Sequence, residues 1–283
     1  DPSGVLRSGT LRVQTRAVAP AQMDATAEVE RLNAMMRAPL ILRAFDPVTG
    51  ETLDVSVPPE ALAAMVRVGE GGGQPRITLD GSAFQAFLQT WQGGLGAERY
   101  LDEVQGLDHL VESWQSGAPL DARVRYHPTS YTVQPGDTLL SISYEIGIPW
   151  FLIRDANPGS GTNGLVAGEQ ITLPAKDANM PLPVVRGKRI VISISQQRLW
   201  SYQDGQLRTQ SVISTGIARS PTMPGVFQIR SHDINAYASN WDLWMPHFMG
   251  IYEASPGFMN GIHGLPLLSS GIRLWGNVLG SPA

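Results

Sequence analysis

The sequence predicts a multidomain α+β chain: an N-terminal α+β domain, a short βααβ module, and a C-terminal, mostly antiparallel β sandwich. Three observations predict it. The 283 residues are the length of two or three domains at about 100–200 residues each. Helical spacing of apolar residues ends with the helix expected from Pro149, whereas from Arg189 onward apolar residues alternate with the two-residue period of strands. Glycine and proline, 30 and 21 residues, stay below the level of low complexity and suit a folded, turn-rich chain.

Composition then excludes several function classes. Hydrophobic residues at 42% supply real cores, while charged residues at 16% fall below the roughly 25% of an average soluble protein. A net charge of −4, with Lys176 and Lys188 the only lysines and no basic run, argues against a nucleic-acid partner, which needs clustered cations on phosphate. The C-terminal part, from Lys188, is cationic, with seven basic against four acidic side chains. No apolar run approaches the roughly 18 residues of a membrane span. The sequence starts at Asp1-Pro2 without a leader pattern, so a membrane anchor is expected only upstream of Asp1, and the chain reads as the mature part of an exported protein. Zero cysteines exclude disulfides, thiolate metal sites and a cysteine nucleophile within these residues.

In order along the chain, residues 1–20 are irregular. Ala27, Val29, Leu32, Met35 and Met36 have helical spacing after a candidate N-cap at Asp24. Leu40 to Phe45 and Thr52 to Val57 flank Asp46-Pro-Val-Thr-Gly50 as strand, turn, strand. Pro58-Pro-Glu60 opens a short helix through Met65. Arg76 to Leu79 reads as a strand, and Asp80 caps a helix with Phe84, Phe87, Leu88 and Trp91 on its apolar face. This first domain is expected to span 1–128.

A separate module spans 129–176: strand Ser130 to Val133, turn Gln134-Pro-Gly-Asp137, a helix from Thr138, a second from Pro149, and strand Glu169 to Leu173. Val133, Leu139, Ile142, Ile148, Leu152, Ile153 and Ile171 form its expected core. Residues 177–187, with Pro181 and Pro183, are the expected linker. The last domain, 188–283, opens with Ile190, Ile192 and Ile194 in alternation, and Asp204-Gly205 is a strong hairpin signal. Gln210 to Thr215 and Gly225 to Arg230 are expected to continue its strands.

Tyr131-Thr-Val-Gln-Pro-Gly-Asp-Thr-Leu139, Asp155-Ala-Asn-Pro158 and Leu165-Val-Ala-Gly-Glu-Gln-Ile-Thr-Leu-Pro174 together resemble a LysM module. The resemblance implies binding of N-acetylglucosamine-containing glycan between Gly136-Asp137-Thr138 and Ala156-Asn157-Pro158. Asp137 and Asn157 also suit caps and turns, and both roles are compatible.

The last domain resembles the L,D-transpeptidase catalytic domain of YkuD type. Its motifs are Lys188 to Tyr202, Val212-Ile-Ser-Thr-Gly216, Ser220-Pro-Thr-Met-Pro-Gly-Val-Phe-Gln-Ile229 and Gly261-Ile-His-Gly264. The resemblance implies cross-linking of peptidoglycan stem peptides through a thioester on a cysteine, with His263 and Gly264 in the active site and no cofactor. The family's Ser-x-Gly-Cys motif is expected just beyond Ala283, after the lead-in Leu279-Gly-Ser-Pro282. Trp244, Met249 and Tyr252, within the aromatic run 241–258, are candidate substrate-binding residues on a flap; core packing is the bland alternative. His232, Asp233 and His247 match no metal-ligand spacing, so no metal is expected. Residues 1–128 resemble, more loosely, the peptidoglycan-binding domains that precede such catalytic domains. An extracytoplasmic, wall-associated enzyme follows; a non-catalytic wall scaffold and an L,D-carboxypeptidase are the alternatives left open. Protein partners are not specified by the sequence.

Overall fold

The computed structural model describes residues 26–71, 74–91, 94–102, 104–160, 164–255 and 257–283; the expected N-cap Asp24 lies outside them. The chain divides into two interleaved units, 1–41 with 56–84 and 107–119, and 42–55 with 85–106 and 120–283. Mixed helix and strand precede a β-rich C-terminal region, as the sequence predicts.

In the first unit lie helix α1 (Thr26–Met35), helix α2 (Pro59–Ala63), the antiparallel hairpin β3 (Val66–Gly71) and β4 (Gln74–Leu79), and helix α4 (Leu110–Ser116). Met35, Leu40, Val57, Leu62, Met65, Ile77, Phe84, Leu110 and Trp114 are among its buried apolar residues. Trp114 places its indole N–H on the Ala38 carbonyl at 2.8 Å, so the ring is buried without an orphaned donor. Strand β3 was not expected, and α4 closes on Gly117 in the left-handed region at φ 71°. Asp80 caps α3 (Gly81–Thr90), accepting from the Ala83 amide at 3.0 Å, as anticipated.

A four-stranded sheet, order β2-β1-β6-β5, joins the two expected strands β1 (Leu40–Phe45) and β2 (Thr52–Val57) to β5 (Arg99–Asp102) and β6 (Leu120–Tyr126). Strand β6 runs parallel to β1, with Leu42 opposite Leu120. Asp46, fully buried, accepts from the Tyr126 hydroxyl at 2.7 Å and from Arg99 at 3.2 Å.

Residues 129–173 fold as β7 (Thr129–Thr132), α5 (Leu139–Ile146), α6 (Trp150–Ala156) and β8 (Gln170–Leu173), with β7 antiparallel to β8. Val133, Ile142, Ile148, Ile153, Ile171 and Leu173 close one small core. The segment that follows has no helix or strand, yet Asp177 and Met180 in it are buried. Asp177 pairs with Arg123 and Arg125 of β6 at 3.7 and 2.5 Å.

Beyond it lie two antiparallel sheets. One has order β11-β10-β9, from β9 (Lys188–Ser193), β10 (Arg198–Gln203) and β11 (Gln206–Val212). Its Asp204-Gly205 turn puts both residues at positive φ, 52° and 75°, matching the twist of a tight hairpin. The other has order β12-β13-β14, from β12 (Ser231–Ala238), β13 (Leu243–Ser255) and β14 (Phe258–Ile262), with β15 (Leu267–Leu268) also on β13. Residues 225–230 form no strand, contrary to expectation. The Gln228 amide instead pairs with Leu182 through both backbone groups, each at 2.8 Å, and so replaces a ladder with a side chain.

Candidate functional site

Two loops of the βααβ module carry the expected glycan-binding residues, and both are anchored to its short sheet. Gly136 takes φ 91°, which lets the chain reverse after Pro135. The Asp137 carboxylate accepts from the Gln134 amide at 2.7 Å and the Tyr131 hydroxyl at 2.9 Å, tying the turn to β7. That hydrogen bond, with some burial, pushes the Tyr131 phenol up to about 12. Thr138 caps α5 in a reciprocal capping box with Ser141, at 3.0 and 2.9 Å. At the end of α6, which is Ala156, the Asn157 side chain donates to Thr172 O at 2.7 Å and accepts from Thr172 N at 2.7 Å. Ser130 of β7 and Thr172 of β8 are opposite one another, so the two loops hang from neighbouring rungs of one ladder. Asp137, Thr138 and Asn157 fix loop shape; Gly136, Ala156 and the exposed Pro158 add little side chain to it. Backbone amides and carbonyls exposed on such loops can pair with uncharged polar groups.

The second candidate site is built on β13 and β14. Gly250 faces Gly261, and Met249 faces Ile262 on one side and His232 on the other. A Cβ on Gly261 would collide with the Met249 carbonyl and the Phe248 ring, which is why glycine stands there. Just past β14, His263 is exposed, its ring stacked on Phe248 at 6.0 Å. Its Nδ1 lies 2.8 Å from the Gly264 carbonyl, an oxygen that can only accept. That contact fits a ring with its hydrogen on Nδ1, the tautomer that has its lone pair on Nε2. Gly264 N donates to Pro246 O at 2.7 Å and pins this corner to β13.

The other expected residues lie along β13 in different settings. Trp244 is exposed, its indole reaching Ser269 at 3.3 Å and its ring 4.6 Å from Tyr237. The Tyr237 and Ser269 hydroxyls both donate to Asp242, and Ser269 above all holds that carboxyl below the usual range. Met249 is half-buried. Tyr252 is 4% exposed and lies between Phe227, at 5.1 Å, and Phe151 of α6, at 5.4 Å. Its hydroxyl accepts from Asn260 at 2.7 Å, and burial raises its pKa. Sequence reasoning missed Phe151, Phe227 and Asn260; the one available signal was the adjacent aromatic pair Trp150-Phe151 opening the second helix of the module. The His232 and His247 rings stack 6.0 Å apart, and no group of three metal-ligating side chains occurs among the described residues.

The remaining motifs meet in one place. Gly216 N donates to Thr222 Oγ1 at 2.9 Å, and a side chain on Gly216 would strike the Ser220 carbonyl. Gln197, 4% exposed, holds Thr215 through its amide, and the Ala283 amide donates to Thr215 O at 2.9 Å.

Comparison with known proteins finds two family models that match segments of the chain. A family model for the LysM domain matches residues 131–174, and one for the L,D-transpeptidase catalytic domain, YkuD, matches residues 187–278. The chain thus carries a LysM domain followed by an L,D-transpeptidase catalytic domain of YkuD type. As families, LysM domains bind glycan and YkuD domains act on peptidoglycan, and both are associated with the cell wall. Among curated proteins, the chain is 49% identical over 45 residues to a Bacillus subtilis protein named as a sporulation-specific glycosylase, YdhD; the match spans 16% of this chain and 11% of that one. Among solved structures, the Ldtfm–avibactam carbamoyl enzyme is 15% identical, with 85% of this chain and 81% of that chain covered at a TM-score of 0.37. A mutant of the Enterococcus faecium L,D-transpeptidase is 14% identical, with 84% and 82% covered at 0.35. At those TM-scores the likeness is partial and supports no statement about this chain. No helix among the described residues is long and apolar enough to cross a membrane.

Proposed function

We propose that the chain is part of an extracytoplasmic peptidoglycan L,D-transpeptidase in which LysM holds wall glycan while the last domain works on stem peptides. The domain division is 1–128, a wall-binding domain; 129–176, LysM; 177–187, linker; and 188–283, catalytic. The observation that carries the reading is His263, exposed just past β14 inside the segment that matches the catalytic-domain model, with Nδ1 2.8 Å from the Gly264 carbonyl.

In the reaction a cysteine thiolate attacks a stem-peptide carbonyl, the terminal amino acid leaves as an amine with a proton supplied to its nitrogen, and a thioester forms. An amine of a second stem then attacks that carbonyl, loses a proton to a base and expels the thiolate, giving the cross-link. His263 and Gly264 line the reacting carbonyl, and Trp244 and Met249 flank the donor stem; Tyr252, 4% exposed between Phe151 and Phe227, is core packing and not a substrate contact. On this reading the nucleophile is a cysteine thiolate, a residue type that residues 1–283 do not contain.

A carbapenem, which acylates such a thiolate, tests this by mass spectrometry. The 283-residue chain is expected to form no covalent adduct, and the chain continued through Ser-x-Gly-Cys to form one of 1:1 stoichiometry. An adduct on the shorter chain, or none on the longer, overturns the reading. The absence of cysteine also favours a second reading, a wall-binding scaffold without chemistry, to which a gene ending or substituted at that motif would point.

A further inference from the structure

The LysM domain lies against the catalytic domain through an aromatic contact. Phe151, in the first turn of α6, stacks on Tyr252 of β13 at 5.4 Å and 28°, and Tyr252 stacks in turn on Phe227 at 5.1 Å and 26°. Tyr144 of α5 donates its hydroxyl to the Thr222 carbonyl at 3.1 Å. Pro149, which begins α6, sits so near Gly225 that a Cβ there would meet its Cδ at 3.0 Å. Tyr252 is 4% exposed and its hydroxyl is satisfied by Asn260, so the middle ring belongs to a dry, hydrogen-bonded interface.

The direction of this contact matters. Tyr144 is near the C-terminal end of α5, and Pro149 and Phe151 are at the N-terminal end of α6. The glycan loops, 136–138 and 156–158, sit at the opposite ends of the same two helices. With eight residues in α5 and a rise of about 1.5 Å per residue, roughly 12 Å separates the docked end from the glycan end. The docked residues thus lie away from the glycan loops and against β13, the strand that carries Met249 and is pinned to Gly264.

We infer that LysM is a docked module, not a loose tether, and that the molecule engages stem peptides borne on the same glycan strand that LysM grips. This rests on the transpeptidase reading for the identity of the peptide, while the docking itself does not. A docked pair of sites binds a doubly offered polymer more tightly than a single site does, because the second encounter is intramolecular and its geometry is already set.

The test has two arms on the whole chain. In NMR relaxation, the amides of α5 and α6 are expected to share the rotational correlation time of β13. Phe151→Ala lies outside the LysM core and is expected to leave that domain folded while its amides tumble faster. Tyr144→Phe, which deletes only the hydroxyl, is expected to do so in part. LysM amides already tumbling independently in the wild-type chain overturn the docking. In the second arm, the chain is titrated onto peptidoglycan with its stems and onto the same glycan stripped of stems by an amidase. The wild type is expected to hold the stem-bearing polymer roughly threefold or more tightly, and Phe151→Ala to lose that ratio with stripped-glycan binding unchanged. Equal ratios in the two proteins overturn the shared-strand inference. No binding of stripped glycan by either protein refutes the LysM reading and leaves the relaxation arm to decide docking.

Discussion

A single phenol reports on the glycan-side loop. Tyr131 donates to Asp137, and that bond lifts its pKa from 10.0 to about 12 in the folded chain. A group whose folded pKa is raised favours the folded state while it keeps its proton. Its contribution is therefore complete below pH 10 and is lost as the pH rises through about 12. LysM stability is expected to fall over that window by more than in Tyr131→Phe, measured by denaturant midpoints alongside the phenolate absorbance. Equal slopes for the two proteins would remove the Tyr131–Asp137 bond from the account.

At the scale of the element, the β13–β14 ladder depends on its two facing glycines. Gly261→Ala drives a methyl group into the Met249 carbonyl and the Phe248 ring, so the strands must separate. A loss of about 1–3 kcal/mol is expected, with the His263 ring resonances moving as the Phe248 stack is disturbed. Gly276→Ala is the control: its methyl group would meet only Leu265, at an ordinary 3.7 Å, and both readouts should stay put. Elements of this kind were largely legible in the sequence. The LysM strands and helices, the Asp204-Gly205 hairpin and the spans of β1 and β2 follow from local period and turn chemistry, which act over a few residues. Pairing does not. Strand β6 lies parallel to β1 across some 75 residues of intervening chain, and nothing in Leu120 to Tyr126 names its partner. Likewise Val226, Phe227 and Ile229 have strand-like composition, but Gln228 takes the hydrogen bonds that a neighbouring strand would have offered. His263 was legible through its flanking glycines, whereas its stack on Phe248 is a tertiary contact that local spacing does not encode.

Across the second unit, the segment after LysM is a fastened strap whose polar anchors were hidden behind its prolines. Asp177 is 1% exposed and takes both Arg123 and Arg125, while Arg186 reaches Asp121 at 2.8 Å and Arg230 reaches Asn179 at 2.9 Å. Asp177→Ala removes the carboxylate that two guanidinium groups share in a buried place. It is expected to cost about 3 kcal/mol and to open residues 177–187 to limited proteolysis. Unchanged cleavage rates would mean that the strap is held elsewhere. The ring of Phe151 against Tyr252 bears on how such a protein is assembled over evolutionary time. Two sequence cassettes that share a fitted face are inherited together, and a LysM borrowed from another gene would graft poorly here unless it brought an aromatic residue at the start of its second helix.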